Sequence, residues 1–170
     1  SVGIDAAGAL LIYLTQTQKS DMSHITTIVP YTTGKYMLID SSSRRNLELV
    51  ETMREKQKKG SLLWVLDKTK TAMGARALRN LVLQPLINRD EIISRQDAIE
   101  ELSDNVIDRE EIREYLGPIY DLERIMTKIS CKSANPRDLI AFKNSLEMIP
   151  HIKNQIGHFK CEVFRKCYEQ

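Results

Sequence analysis

Leu122, Ile125, Met126 and Ile129 stand at i, i+3, i+4 and i+7, the spacing that lines up four apolar side chains on one face of an α-helix. The residues between them are mostly charged or polar, so the segment gains by folding as a helix with that face turned inward. Scarce turn residues extend the argument to the rest of the chain. Seven glycines and five prolines in 170 residues, with aromatics at 6%, favour long helices over a sandwich or barrel. With 42% hydrophobic and 28% charged residues, the chain can bury a core of ordinary domain size. The expected fold class is mainly α: a multi-helix bundle with one small β element near the N-terminus.

Local signals divide the chain. Asp5 is placed to cap a first helix that carries Ala7, Leu10, Leu11 and Leu14 on one face. Residues 25–29 are rich in β-branched side chains, Pro30 breaks the run, and Thr33-Gly34-Lys35 can turn. Tyr36-Met37-Leu38-Ile39 then reads as a second strand, giving a small hairpin that must lean on helices. Ser41 to Met53 returns to helical composition, and Glu55 to Gly60 is a charged connector. Ser61 caps a short helical turn containing Trp64, the sole tryptophan, whose expected role is a core anchor.

Thr71 caps a helix that runs to Leu83 and is stopped by Pro85, with Met73, Ala77 and Leu81 along one face. Gly74 inside it costs about 1 kcal/mol relative to alanine, which points either to a close neighbour or to slack in the first turn. Asn88 followed by Glu91 resembles a capping box before a helix with Ile92, Ile99 and Leu102. A shorter helix fits Val106 to Leu116, ended by Gly117-Pro118. Asn135-Pro136 with Asp138 is a strong start signal for a helix striped by Leu139, Phe142, Leu146 and Ile149. Pro150 should kink or restart that helix before Ile152 and Ile156, and Phe159 to Gln170 reads as a last helix.

Charge is unevenly spread. Asp90 to Arg124 holds twelve acids against four bases, a surface that duplex phosphates would repel. Arg44 to Lys70 and Ile125 to Gln170 each hold eight bases against four acids. Such a surplus usually makes a solvated helix face, though it leaves room for phosphate contacts. Cys131, Cys161 and Cys167 are odd in number and irregular in spacing, which fits a reducing compartment. Cys161 and Cys167 lie near His151 and His158, but no C-x-x-C pair is present; half-buried small side chains explain them better than zinc. No P-loop, G-x-S-x-G elbow or H-E-x-x-H motif occurs, so no catalytic, cofactor-binding or metal residue is expected, and this chain is not expected to be an enzyme. The longest apolar run, Ala9 to Leu14, is too short for a bilayer, and no membrane partner is expected. The opening Ser1-Val2-Gly3 is a poor natural start and suggests a piece of something longer.

Four segments carry more. They are Ala6 to Leu14 followed by Thr17-Gln18; Asp40 to Leu49, reading D-S-S-S-R-R-N-L-E-L; Leu66 to Arg76, continuing through Leu78-Arg79 to Gln84-Pro85-Leu86; and Asp121-Leu122-Glu123-Arg124 with Ala134 to Leu139 after it. In this order and spacing they resemble the MutS family of DNA mismatch-repair proteins, over nearly the whole chain. The third segment is the most specific. Leu81-Val82 stands where the family often has Trp-Leu. The family's mismatch-reading Phe-x-Glu is missing, since Phe142, Phe159 and Phe164 are followed two residues on by Asn144, Cys161 and Lys166.

The resemblance implies that residues 1–40 end a connector region and that 41–170 form the first half of a helical core or lever domain, in the bacterial mismatch-repair branch. It implies a cytoplasmic parent protein that binds mismatched duplex DNA, forms a homodimer, recruits a MutL-type partner and hydrolyses ATP with magnesium, with no cofactor held by this fragment. The fragment's own role would be transmission between mismatch binding and the ATPase. Two structural expectations accompany it: Asp67 caps the turn at Thr69 to Thr71, and Arg44 and Arg45 pair with acids of the 90–124 stretch. The competing readings are a helical protein-interaction module and a nonspecific DNA-binding domain.

Overall fold

The computed structural model describes residues 2–18, 27 and 33–169. The chain divides into two compact units, Ser1–Thr32 and Thr33–Gln170. The first contains α1, Val2–Gln18. This helix begins before Asp5, so Asp5 is not its cap; it lies in the first turn, where a carboxylate meets the positive end of the helix dipole. Of the expected face, Ala7, Leu11 and Leu14 are half-buried and Leu10 is exposed.

Among the described residues the expected β element is not found. The proposed first strand, 25–29, lies outside the described residues except for Thr27, which has no regular structure. Thr33–Lys35 is a 3-10 turn, and Tyr36 forms one isolated antiparallel bridge, to Leu86. Met37 donates its N–H to the Pro85 carbonyl at 2.8 Å. Ile87 donates its N–H to the Lys35 carbonyl at 3.4 Å in return, but Pro85 has no N–H, so the pairing cannot extend beyond Met37.

The second unit's helices are α2 (Ser41–Asn46), α3 (Leu62–Leu66), α4 (Ala72–Leu83), α5 (Arg89–Asp104), α6 (Val106–Leu116), α7 (Leu122–Ser130), α8 (Pro136–Ile156) and α9 (Glu162–Glu169). Local caps start most of them. Asp40 accepts the N–H groups of Ser42 and Ser43, Ser61 that of Trp64, Thr71 that of Gly74, and Asn88 those of Asp90 and Glu91. Glu91 does not complete a capping box; its carboxylate pairs with Lys35 at 3.1 Å. Asn135 and Asp138 do complete one at the start of α8.

Helix α2 stops well short of Met53. Glu48 takes a left-handed conformation (φ 48°) that ends the helix, and Leu49 turns into the core. The carbonyls of Glu48 and Leu49 accept the N–H groups of Leu62 and Leu63 at 3.0 and 2.9 Å. The connector before Ser61 is pinned as well: Thr52 accepts from Lys56 and donates to Gln57 through its backbone.

Helix α8 is the spine. It packs on α6, α7 and α9, while α5 lies against α6 and α9. The helix runs through Pro150 without restarting. Proline removes the hydrogen bond to the Leu146 carbonyl, but packing on both sides of the gap, at Ser145 and Ile156, holds the helical path. The buried set differs from the expected stripe. Leu139 and Leu146 are exposed, and Ser145 is fully buried. In α7, Ile125 is buried as its spacing predicts, with Leu122 and Ile129 half-buried and Met126 exposed. Trp64 is 48% exposed and is not a core anchor; its neighbour Leu63, at 3%, is. Among the described residues no helix is long and apolar enough to cross a membrane.

Candidate functional site

Two of the segments that carry the family resemblance lie 45 residues apart in sequence and meet in space. The first is the turn and helix from Leu66 to Arg76. Asp67 is the hinge of that turn: its Oδ1 accepts from the Thr69 hydroxyl at 2.6 Å and the Thr69 N–H at 3.2 Å, as expected for a turn cap. Its Oδ2 takes the Lys58 ammonium, which ties the connector to the turn. Hydrogen bonds from Lys58 and Thr69 hold the Asp67 carboxyl at about 2, below its ordinary 3.8. Thr71 then caps α4, and Gly74 answers the question its position raised. A Cβ there would meet Thr71 Oγ1 at 3.0 Å and Thr69 Cβ at 3.4 Å, so the close neighbour is the helix's own cap.

One turn further, Arg76 reaches the start of α7. Its guanidinium grips Asp121 with both arms, at 2.7 and 2.8 Å, and Glu123 at 2.5 Å. Asp121 does two jobs, because its Oδ1 also accepts the Arg124 N–H and caps α7. The Arg76 hydrogen bond holds the Asp121 carboxyl at about 2, and the same contact raises Arg76. A two-armed arginine–carboxylate pair fixes orientation as well as distance. Arg113 of α6 donates to the Lys68 carbonyl at 3.4 Å, so the turn also touches the bundle.

The other side of α7 is fastened to α8. The Tyr120 N–H donates to the buried Ser145 hydroxyl at 3.0 Å, which itself donates to the Ala141 carbonyl at 2.7 Å. Lys128 pairs with Asp138 at 2.7 Å, linking α7 to the capping box of α8. The chain from Asp67 through Arg76, Asp121 and Ser145 therefore connects the turn, α4, α7 and α8 by named bonds. This arrangement positions helices relative to one another.

Other expected residues fall elsewhere. Arg44 and Arg45 make no ion pair among the described residues; Arg44 instead donates to the Ile39 carbonyl at 2.8 Å. That pairing expectation is corrected: Arg44 folds back on the segment before its own helix, and the base that reaches the 90–124 stretch is Arg76. It could not be found by spacing, since nothing local links Arg76 to Asp121. Cys161 sits with its sulfur 3.7 Å from the Ser94 carbonyl, and Cys131 and Cys167 are exposed. Among the described residues no three histidine, cysteine or acidic side chains are placed to hold a metal. In the acidic stretch, Glu101 has a structural use: it accepts the N–H groups of Lys160 and Cys161 at 2.7 and 3.0 Å, before α9.

Acid should loosen the junction first. Asp67 and Asp121 are depressed from 3.8 to about 2, so they stabilise the fold fully above about 4. Their contribution is lost as the pH falls through the folded value near 2. The urea midpoint should therefore drop between pH 4 and 2, and the gap between the natural chain and Arg76→Ala should shrink over that window. Both carboxylates are half-buried but their cationic partners Lys58 and Arg76 are exposed, so added salt should blunt the effect in part.

A family model described as MutS domain III matches residues 42–167. The DNA mismatch repair protein MutS of Lachnoclostridium phytofermentans is 67% identical over 170 residues, covering 100% of this chain and 18% of that protein. The protein of the same name from Ruminiclostridium cellulolyticum is 54% identical over 99% of this chain and 19% of its own length. That of Acetivibrio thermocellus is 51% identical over 94% and 18%. The chain thus spans less than a fifth of the length of these curated relatives.

Proposed function

Because the chain belongs to the MutS domain III family, we propose that it is the transmission element, or lever, of a mismatch-recognition ATPase in DNA mismatch repair. It couples the binding of mismatched duplex DNA to ATP-driven conformational change. In this reading residues 41–170 supply the first half of the helical core and 1–40 the end of a connector. ATP and magnesium act in the longer cytoplasmic protein, which works as a homodimer and recruits a MutL-type partner; this chain's part in it is structural.

The observation that supports the reading is the Arg76 clamp on Asp121 and Glu123. Packed helices shift as units between discrete arrangements, so a device that locks α4 to α7, and through Ser145 to α8, turns several helices into one moving part. A protein-interaction module would need no such bracing, and nonspecific DNA binding would call for dense one-sided bases, whereas Lys58 is committed to Asp67.

The test is Arg76→Ala in the full-length protein. Mismatch-dependent stimulation of ATP hydrolysis should fall about fivefold or more, the scale of a typical coupling energy, while affinity for mismatched duplex is retained. Arg76→Lys, with one donor group in place of a fork, should fall between. Undiminished stimulation in Arg76→Ala would overturn the reading.

A further inference from the structure

Helices α7 and α8 enclose an open cleft of about 580 Å³. Its floor is apolar, with Ile125 buried and Ala141 half-buried, and Tyr120 stands at its edge with 57% of its surface exposed. The position of Tyr120 is fixed because its N–H is bonded to buried Ser145. The rim is charged. Two carboxylates line it, and both are already satisfied: Asp121 by Arg76, and Asp138 by Lys128 at 2.7 Å and the Asn135 N–H at 3.0 Å.

Two guanidiniums remain. The side chains of Arg124 and Arg137 line the cleft, are exposed, and make no hydrogen bond or ion pair among the described residues. Both sit in the first turn of their helices, where the helix dipole disfavours a cation. The Asp121 and Asp138 carboxylates attract Arg124 without bonding it and offset part of that cost; Arg137 has no such neighbour among the described residues.

We propose that this cleft is the seat of an acidic segment from the part of the longer protein that lies outside these 170 residues. The segment places an aspartate or glutamate between Arg124 and Arg137 and lays an adjacent apolar side chain on Ile125 and Ala141. Charge complementarity selects the carboxylate, because a guanidinium fork matches it in shape and sign. The source follows from length: more than four fifths of the Lachnoclostridium phytofermentans relative lies outside the matched stretch, all of it tethered and so present at high effective concentration. The inference rests on the chain being a piece of such a longer protein. Docking here would set the α7–α8 joint beside the Arg76 clamp, since Asp121 belongs to both.

The experiment replaces Tyr120 with the photocrosslinker p-benzoylphenylalanine in the full-length protein and maps the product by mass spectrometry. The expected product joins Tyr120's position to an Asp- or Glu-bearing segment of the same polypeptide beyond residues 1–170, with a yield independent of protein concentration. Arg124→Glu with Arg137→Glu should abolish it, and the double lysine variant should retain it. Both arginines are on the surface, so these changes leave the fold intact. Crosslinks to a second copy or to another protein, crosslinks indifferent to charge reversal, or none at all would each overturn the proposal. The two readings fail separately: a lost crosslink leaves the Arg76 coupling result untouched, and intact coupling in Arg76→Ala leaves the crosslink untouched.

Discussion

Replacing Phe159 with alanine is expected to cost the domain about 3–5 kcal/mol, seen as a lower urea midpoint with little change in slope. Phe159 is 4% exposed and stands between α8 and α9. Its ring lies 4.8 Å from that of Phe164 and 4.5 Å from that of His158, in tilted arrangements that aromatic pairs favour. The His158 ring is held in turn by Asp108 at 3.1 Å, so α6 is joined to the same cluster. Alanine would leave a void that the fixed backbone cannot close, because the Phe159 N–H is bonded to Ile156 and the next two N–H groups are bonded to Glu101. A loss below about 1 kcal/mol would mean that α9 contributes little to the fold.

The second large effect separates two neighbours. Leu63→Ala should cost about 2–5 kcal/mol, while Trp64→Ala should cost a fraction of that, despite removing far more surface. Leu63 is 3% exposed and its N–H is bonded to the Leu49 carbonyl, so the side chain fills the seam between the connector and α3. Trp64 is half in solvent already. Urea unfolding of the two single variants decides the order; equal losses would show that the tryptophan is the anchor after all.

That contrast illustrates what the sequence makes legible. Caps are written locally, so Ser61, Thr71 and the Asn135–Asp138 box are readable within a few residues, and α3, α4 and α8 begin where those signals fall. Which way a helix faces is a tertiary matter. The apolar stripe of α8 runs through Leu139, Phe142, Leu146 and Ile149, of which Phe142 and Ile149 are half-buried and the two leucines exposed; the tight approach of the Tyr120 loop needs a small hydroxyl, and Ser145 takes the buried place. The β element failed for a related reason. Tyr36 to Ile39 has strand composition, yet its partner is a single residue beside Pro85, so composition alone could not build a sheet.

The candidate site was half legible. The turn cap at Asp67 was readable because acceptor and donors lie two residues apart. The clamp from Arg76 was not, because its partners are 45 and 47 residues away and no periodic signal spans that distance. The resemblance pointed to both segments as important without saying that they touch.

Asp121 serves Arg76 and the first turn of α7 with the same carboxylate. Two helices that share one anchor do not open independently: to undock α4 is to release the guanidinium that orients the cap of α7, and to fray α7 is to move the carboxylate that α4 holds. The least stable parts of a protein usually move separately, but here local opening at either place is a single cooperative event. The joint therefore has fewer intermediate positions than its two helices would suggest, and a disturbance on one side reaches the other whole or not at all.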